Sequence, residues 1–204
     1  MKFKMRFLAV MTTAVIAFSC GKTSYKKTPG GMAYKIIPGK DTQKINPGSI
    51  VKLLVTQKLN DSILFSTNEG LPAYVPVSQT VRSYDISEMW GLLHKGDSMI
   101  MIQMADTFII RFPERVPPYF KKGDRVKSFV RILDVFTSDS MARADEEKER
   151  NQFTQKQIKE VEDYLAKKNI KTQRTPSGAF LEVIKQGEGN KADSGKYVSV
   201  NYTG

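Results

Sequence analysis

Between Tyr34 and Val135 the apolar positions come in short runs broken by turn residues, and the runs are rich in β-branched side chains. Met32 to Ile37 predicts a strand closed by Pro38-Gly39, and Asn46-Pro47-Gly48 predicts a turn. Ile50 to Leu59 predicts a longer strand, broken by Asn60-Asp61-Ser62 and resumed at Ile63-Leu64-Phe65-Ser66. Ser98 to Met104 and Arg125 to Phe136 predict two more strands, with Val116-Pro117-Pro118-Tyr119-Phe120 as a loop between them. Tyr84 to His94 predicts one short helix, with Ser83 as its cap, Gly96 ending it, and Ile86, Met89, Trp90, Leu92 and Leu93 as its apolar positions. The fold class that follows is α+β: a curved antiparallel sheet packed on one short helix, large enough for its own core.

Two segments outside this region carry a different pattern. Ala142 to Lys168 is rich in helix formers, with acids early, Lys167 and Lys168 late, and a narrow apolar stripe at Ile158, Val161 and Leu165. It predicts a solvated linker helix. At the N-terminus, Lys2, Lys4 and Arg6 precede the apolar run Phe7 to Phe18, which leads into Ala17-Phe18-Ser19-Cys20. A charged start, a short apolar run and small residues before a cut site predict a secretory signal peptide over residues 1–19. The run is shorter than the roughly 20 residues that a spanning helix needs.

Cysteine use sharpens that expectation. Cys20 is the only cysteine, so it has no partner within the chain, and its place directly after Ala-Phe-Ser resembles a bacterial lipobox. Acylation of Cys20 would anchor the chain to a membrane, each buried CH2 contributing about 0.8 kcal/mol. The expected location is the outer membrane, facing the periplasm. Residues 20–30 then form a lipidated cysteine and polar tether. Loss of residues 1–19 removes three basic residues and no acids, lowering the formal charge from +11 to +8. The remaining lysines and arginines are scattered, mostly in pairs such as Lys26-Lys27 and Lys121-Lys122, without the interleaved aromatics of a nucleic-acid interface. No nucleic-acid partner is expected.

Self-comparison reveals a repeat. Thr28-Pro29-Gly30-Gly31-Met32-Ala33-Tyr34 recurs as Thr175-Pro176-Ser177-Gly178-Ala179-Phe180-Leu181, an offset of 147 residues that also places Gly48 on Gly195, Val51 on Val198 and Thr56 on Thr203. The organisation read from this is a module over 31–137, a helical linker over 138–174, and the truncated start of a second module over 175–204.

With Gly96-Asp97, Pro117-Pro118-Tyr119-Phe120-Lys121-Lys122-Gly123-Asp124 and Val130-Arg131-Ile132-Leu133-Asp134-Val135, the first module resembles the FKBP family of peptidyl-prolyl isomerases. Ser177-Gly178, Gly187-Glu188-Gly189 and Val198 to Gly204 resemble that family's opening strands, and lipid-anchored members with paired modules, of the kind Bacteroidetes carry, are the nearest match. The resemblance implies a fold, prolyl isomerisation in the folding of exported proteins, and proline-containing or unfolded polypeptide clients. It implies no cofactor and no metal, and it leaves pairing of two copies open. The reaction twists an amide against a barrier of about 18–20 kcal/mol and needs an apolar pocket rather than a nucleophile. Carried across by resemblance, the pocket positions are Val55, Phe65, Ser66, Ile86, Trp90 and Ile109 in the first module and Tyr202 in the second. The family's tyrosine becomes Val55 and its aspartate becomes Ser66, which implies a weak or inactive first module. The alternative is a non-catalytic chaperone or docking module.

Overall fold

The computed structural model describes residues 24–203, so the expected signal peptide and Cys20 lie outside the described residues. The chain forms two compact units. One is built on residues up to Asn68 with Pro72–Ser138, the other on Glu69–Leu71 with Asp139 onward.

In the first unit the strands are β1 (Lys26–Lys27), β2 (Ala33–Ile37), β3 (Ile50–Leu59), β4 (Ser62–Ser66), β5 (Ala73–Pro76) and β6 (Ser98–Met104). A short helix α1 (Ala105–Arg111) and the long strand β7 (Arg125–Phe136) follow. All pair antiparallel in the order β1-β2-β6-β7-β3-β4, with β5 also on β3. The long strands lie where their apolar runs predict. Period-two alternation sends Leu53, Val55 and Gln57 of β3 to the same face as Met99, Met101 and Gln103 of β6. Val126, Ser128, Val130 and Ile132 of β7 share that face. The cross-strand register sets Val55 opposite Val130, Gln57 opposite Ser128 and Met101 opposite Ser128. Met32, Tyr34, Leu53, Met89, Trp90, Leu93, Met99, Val130 and Ile132 are among the buried residues of the core.

Two elements differ from expectation. The helix expected over Tyr84 to His94 is instead two single turns of 3-10 helix, Ile86–Glu88 and Trp90–Leu92, and the cap is Asp85, whose carboxylate accepts from Ser87 N at 2.9 Å. Tyr84 has φ +66°, outside helical space, and Leu93 is already extended, so too few residues remain for a cooperative α-helix. Conversely, beyond the strand expected to end at Met104, Ala105–Arg111 is helical, an element the pattern did not predict. Asp106 lies in its first turn and accepts from Gly123 N at 2.7 Å, an anchor with a residue seventeen positions away that local pattern does not reveal.

The turn at Glu88 locks the N-terminal hairpin to the sheet's covering loop. Its carboxylate accepts from Thr28 Oγ1 at 2.7 Å, Gly30 N at 2.6 Å and Tyr84 N at 2.9 Å. A Cβ on Gly30 would stand 2.3 Å from Tyr84 N, so this close approach requires glycine.

The second unit holds α2 (Asp139–Lys168), β8 (Gln173–Arg174) and β9 (Phe180–Leu181). α2 begins three residues before its predicted start and is mostly exposed, with spaced ion pairs Arg143–Asp139, Arg150–Glu146 and Lys156–Glu160 along it. The β8–β9 hairpin repeats β1–β2 pair for pair: Lys26 faces Tyr34 and Lys27 faces Ala33, while Gln173 faces Leu181 and Arg174 faces Phe180. Its loop repeats three bonds as well. Thr28 N donates to Met32 O, Gly31 N to Thr28 O and Met32 N to Thr28 Oγ1, as Thr175 N, Gly178 N and Ala179 N do in the second copy. The 147-residue sequence offset is thus also an offset of hydrogen bonds.

Glu88→Gln keeps the shape of the clamp and removes its charge. It should lower unfolding free energy by about 1–3 kcal/mol, read as a lower denaturation midpoint with unchanged slope. An unchanged midpoint would show that the three donors find equal partners without the carboxylate.

Candidate functional site

The inner face of the sheet is open where β3 changes partners. Its first half pairs with β5, Leu53 facing Ala73, and its second half with β4, Thr56 facing Ser66. No strand covers Leu54 and Val55 on that side. Thr67 fills the gap: its hydroxyl accepts from Val55 N at 2.9 Å and its own N–H donates to Val55 O at 2.9 Å. Beside this gap lies a bowl of about 210 Å³, lined on the sheet by Leu53, Val55, Met101, Ser128 and Val130 and walled by Ala73, Val75, Ile86 and Trp90.

A second lobe of about 690 Å³ adjoins it, walled by aromatic and apolar side chains including Leu64, Tyr84, Phe108, Phe112, Pro117 and Phe120. Gln57, Asp85 and Gln103 line both lobes and form a polar waist between them. Gln57 Nε2 donates to Ser128 Oγ at 3.3 Å, and Gln103 Nε2 donates to Tyr84 O at 2.7 Å. Tyr84 is fixed further by its hydroxyl, which accepts from Met104 N at 2.7 Å, and by an edge contact with Phe108. The loop carrying Pro117 and Phe120 is closed by Asp124, which accepts from Asn60 Nδ2 and from Lys121 N. Those bonds, that from Asn60 foremost, hold its carboxyl below the usual aspartate range.

The structure gathers three of the expected pocket residues, Val55, Ile86 and Trp90, around one bowl. It sets the others elsewhere. Phe65 lies on an edge strand exposed along its whole length and is itself 52 % exposed. Ser66 Oγ is paired with Thr56 Oγ1 at 3.0 Å. Ile109 is half-buried on α1 and lines neither lobe, where its neighbour Phe108 does. Tyr202 belongs to the second unit and is 91 % exposed. Gln57, Asp85 and Gln103 were not anticipated. Gln57 and Gln103 fall in phase with the inward apolar residues of their strands, a polar side chain on a core face, and that was the available signal. Asp85 had none, because its position depends on the left-handed turn at Tyr84. Among the described residues no group of three His, Cys, Asp or Glu side chains could hold a metal ion.

No family model matches the chain, and no curated protein matches it. Among solved structures it is similar to FkpA from Escherichia coli, at 16 % identity and a TM-score of 0.45, covering 58 % of this chain and 54 % of that one. It is also similar to a peptidyl-prolyl cis-trans isomerase from Pseudomonas syringae pv. tomato, at 12 % identity and a TM-score of 0.44, covering 57 % of this chain and 84 % of that one. The chain therefore spans about half the length of the E. coli protein. At such scores the architecture stands on the strand order of the chain itself.

Thr67→Val removes the acceptor of a half-buried backbone N–H at the lip of the bowl. It should destabilise the unit by about 1–3 kcal/mol and speed hydrogen exchange at Val55 above that of Leu53. Equal protection at both amides would mean that water replaces the hydroxyl without loss.

Proposed function

We propose that the first unit binds extended, proline-containing polypeptide in the two-lobed groove and acts as an FKBP-type prolyl isomerase of low activity, on a chain exported and anchored through Cys20. The observation that carries this reading is the bowl. A small apolar cavity floored by Val55 and Val130 and walled by Ile86 and Trp90 suits a prolyl ring. The larger aromatic lobe beside it has room for the neighbouring residues of a chain. Isomerisation requires only that the twisted amide be held better than the planar one. Low activity follows from what the bowl lacks: the ring of Phe65 stands outside it, and Ser66 offers a hydroxyl already engaged by Thr56. The same two facts favour a second reading, a non-catalytic chaperone that holds unfolded clients.

Trp90 is the only tryptophan and lines the bowl, so its fluorescence reports occupancy. The full chain in detergent should show saturable change with a Leu-Pro peptide, weakened several-fold by Ile86→Ala, and should accelerate isomerisation above the uncatalysed exchange of about 10–100 s. Binding without acceleration leaves the chaperone reading. Absence of both removes the groove as the site.

Export and anchoring rest on the pattern of residues 1–20. In a bacterial host, palmitate label should enter the chain and be lost in Cys20→Ser, with the protein moving to the soluble fraction. Label retained in that variant would rule the anchor out.

A further inference from the structure

The waist of the groove has an uneven chemistry. Both glutamine amide nitrogens are used internally, Gln57 Nε2 on Ser128 Oγ and Gln103 Nε2 on Tyr84 O. Each amide keeps its carbonyl oxygen and one further N–H. Asp85 accepts from Ser87 N through Oδ1, and its Oδ2 takes no bond among the described residues. The Asp85 carboxylate is therefore the one ionised group among the residues that line both lobes, beside two neutral amides. Such a site favours a hydrogen-bond donor, and a cationic one above a neutral one. The cations nearby lie on the outer lobe's side. Arg82 lines that lobe only, and Arg111 lies over the Tyr84 ring and reaches Ser83 Oγ.

Building on the proline-binding reading of the bowl, we infer that the waist selects clients with a lysine or arginine beside the proline. With the prolyl ring in the small lobe, the adjacent residue must cross the waist before its chain reaches the aromatic lobe. An aliphatic side chain there leaves the Asp85 carboxylate unpaired. A glutamate meets the Asp85 carboxylate. A lysine or arginine pairs with that carboxylate while its stem lies along apolar surface. Asp85 acts as a specificity-determining residue, with the two glutamine amides lining the waist beside it.

The test uses the full chain and three short peptides differing only in the residue before proline: lysine, leucine or glutamate. Affinity is read from Trp90 fluorescence. The lysine peptide should bind roughly fivefold tighter than the leucine peptide, in the range expected for a partly exposed ion pair, and the glutamate peptide weakest, with the differences shrinking at high salt. Asp85→Asn, which keeps a side chain able to cap Ser87 N, should bring the lysine-to-leucine ratio to about one. Gln57→Glu, whose new carboxylate can accept from the Ser128 hydroxyl, should raise it. Equal affinity for the lysine and leucine peptides, or tighter binding of the glutamate peptide, overturns the inference while leaving the groove intact. Failure of all three peptides to bind overturns the groove reading itself, and this inference with it.

Discussion

The first unit depends on how β3 shares its two edges. One edge is committed along its full length to β7, ten residue pairs from Ile50–Phe136 to Leu59–Val126, with a single irregularity after Lys52. The other edge is divided between β5 and β4, and the division falls at Leu54 and Val55. A strand interrupted at its centre would leave an N–H and a C=O without partners, which the interior of a sheet tolerates poorly. Thr67 satisfies both groups of Val55 from one residue, which is why the division does not unravel the strand. The bowl lies beside that division, with Ala73 and Val75 of β5 as one wall and the inner face of β3 and β7 as its floor. The cavity is thus a consequence of strand pairing, not a gap left by loose packing.

Legibility from sequence tracked the distance over which each element is determined. β3, β6, β7 and α2 are set by runs of seven to thirty residues whose composition favours one state, and they lie within a few residues of expectation. The 147-residue repeat was equally plain, because the hairpin at each copy is closed by its own Thr, Gly and backbone bonds. The stretch from Tyr84 to His94 was not. Its apolar residues are spaced as in a helix, yet Tyr84 is held at φ +66° by Glu88, Gln103 and Met104, partners four to twenty residues away. Three hydrogen bonds offset the cost of about 1–3 kcal/mol for that backbone. The candidate site inherited the same limit. Val55 and Trp90 were recognisable by position, whereas Asp85 faces the groove only because the turn before it runs left-handed.

The groove also shows how a fold and its chemistry separate. The bowl retains the apolar enclosure that a twisted amide needs, since loss of planarity reduces the amide's demand for solvent contact. What its walls lack is aromatic surface: of the residues around it only Trp90 carries a ring, and the rest are apolar side chains with Gln57, Gln103, Ser128 and Asp85. Aromatic rings stand instead in the outer lobe, at Tyr84, Phe108, Phe112 and Phe120. Aromatic contact surface in this unit is therefore concentrated away from the small cavity. Energy gained from remote parts of a bound chain accelerates a reaction only if it is used to strain the reacting bond. Under the proposed reading, a groove arranged this way would hold a peptide more effectively than it would twist one.

The two hairpins of the repeat separate local from tertiary constraint within one chain. Their registers agree because the loop closes on itself in both. Their docking need not agree. Gly30 is wedged so tightly against Tyr84 N that a Cβ would approach to 2.3 Å, and Glu88 draws Thr28 and the Gly30 N–H into the same contact. The matching position in the second copy is Ser177, whose hydroxyl pairs with Thr175 Oγ1 at 3.0 Å. A serine brings both a Cβ that such a wedge has no room for and a hydroxyl committed to the threonine that the clamp would otherwise take. Seating the second hairpin against an equivalent turn would require that turn to stand further off. Shared loop bonds thus give matching hairpins, while the glycine-to-serine difference denies the second copy a wedge as close as that of Gly30.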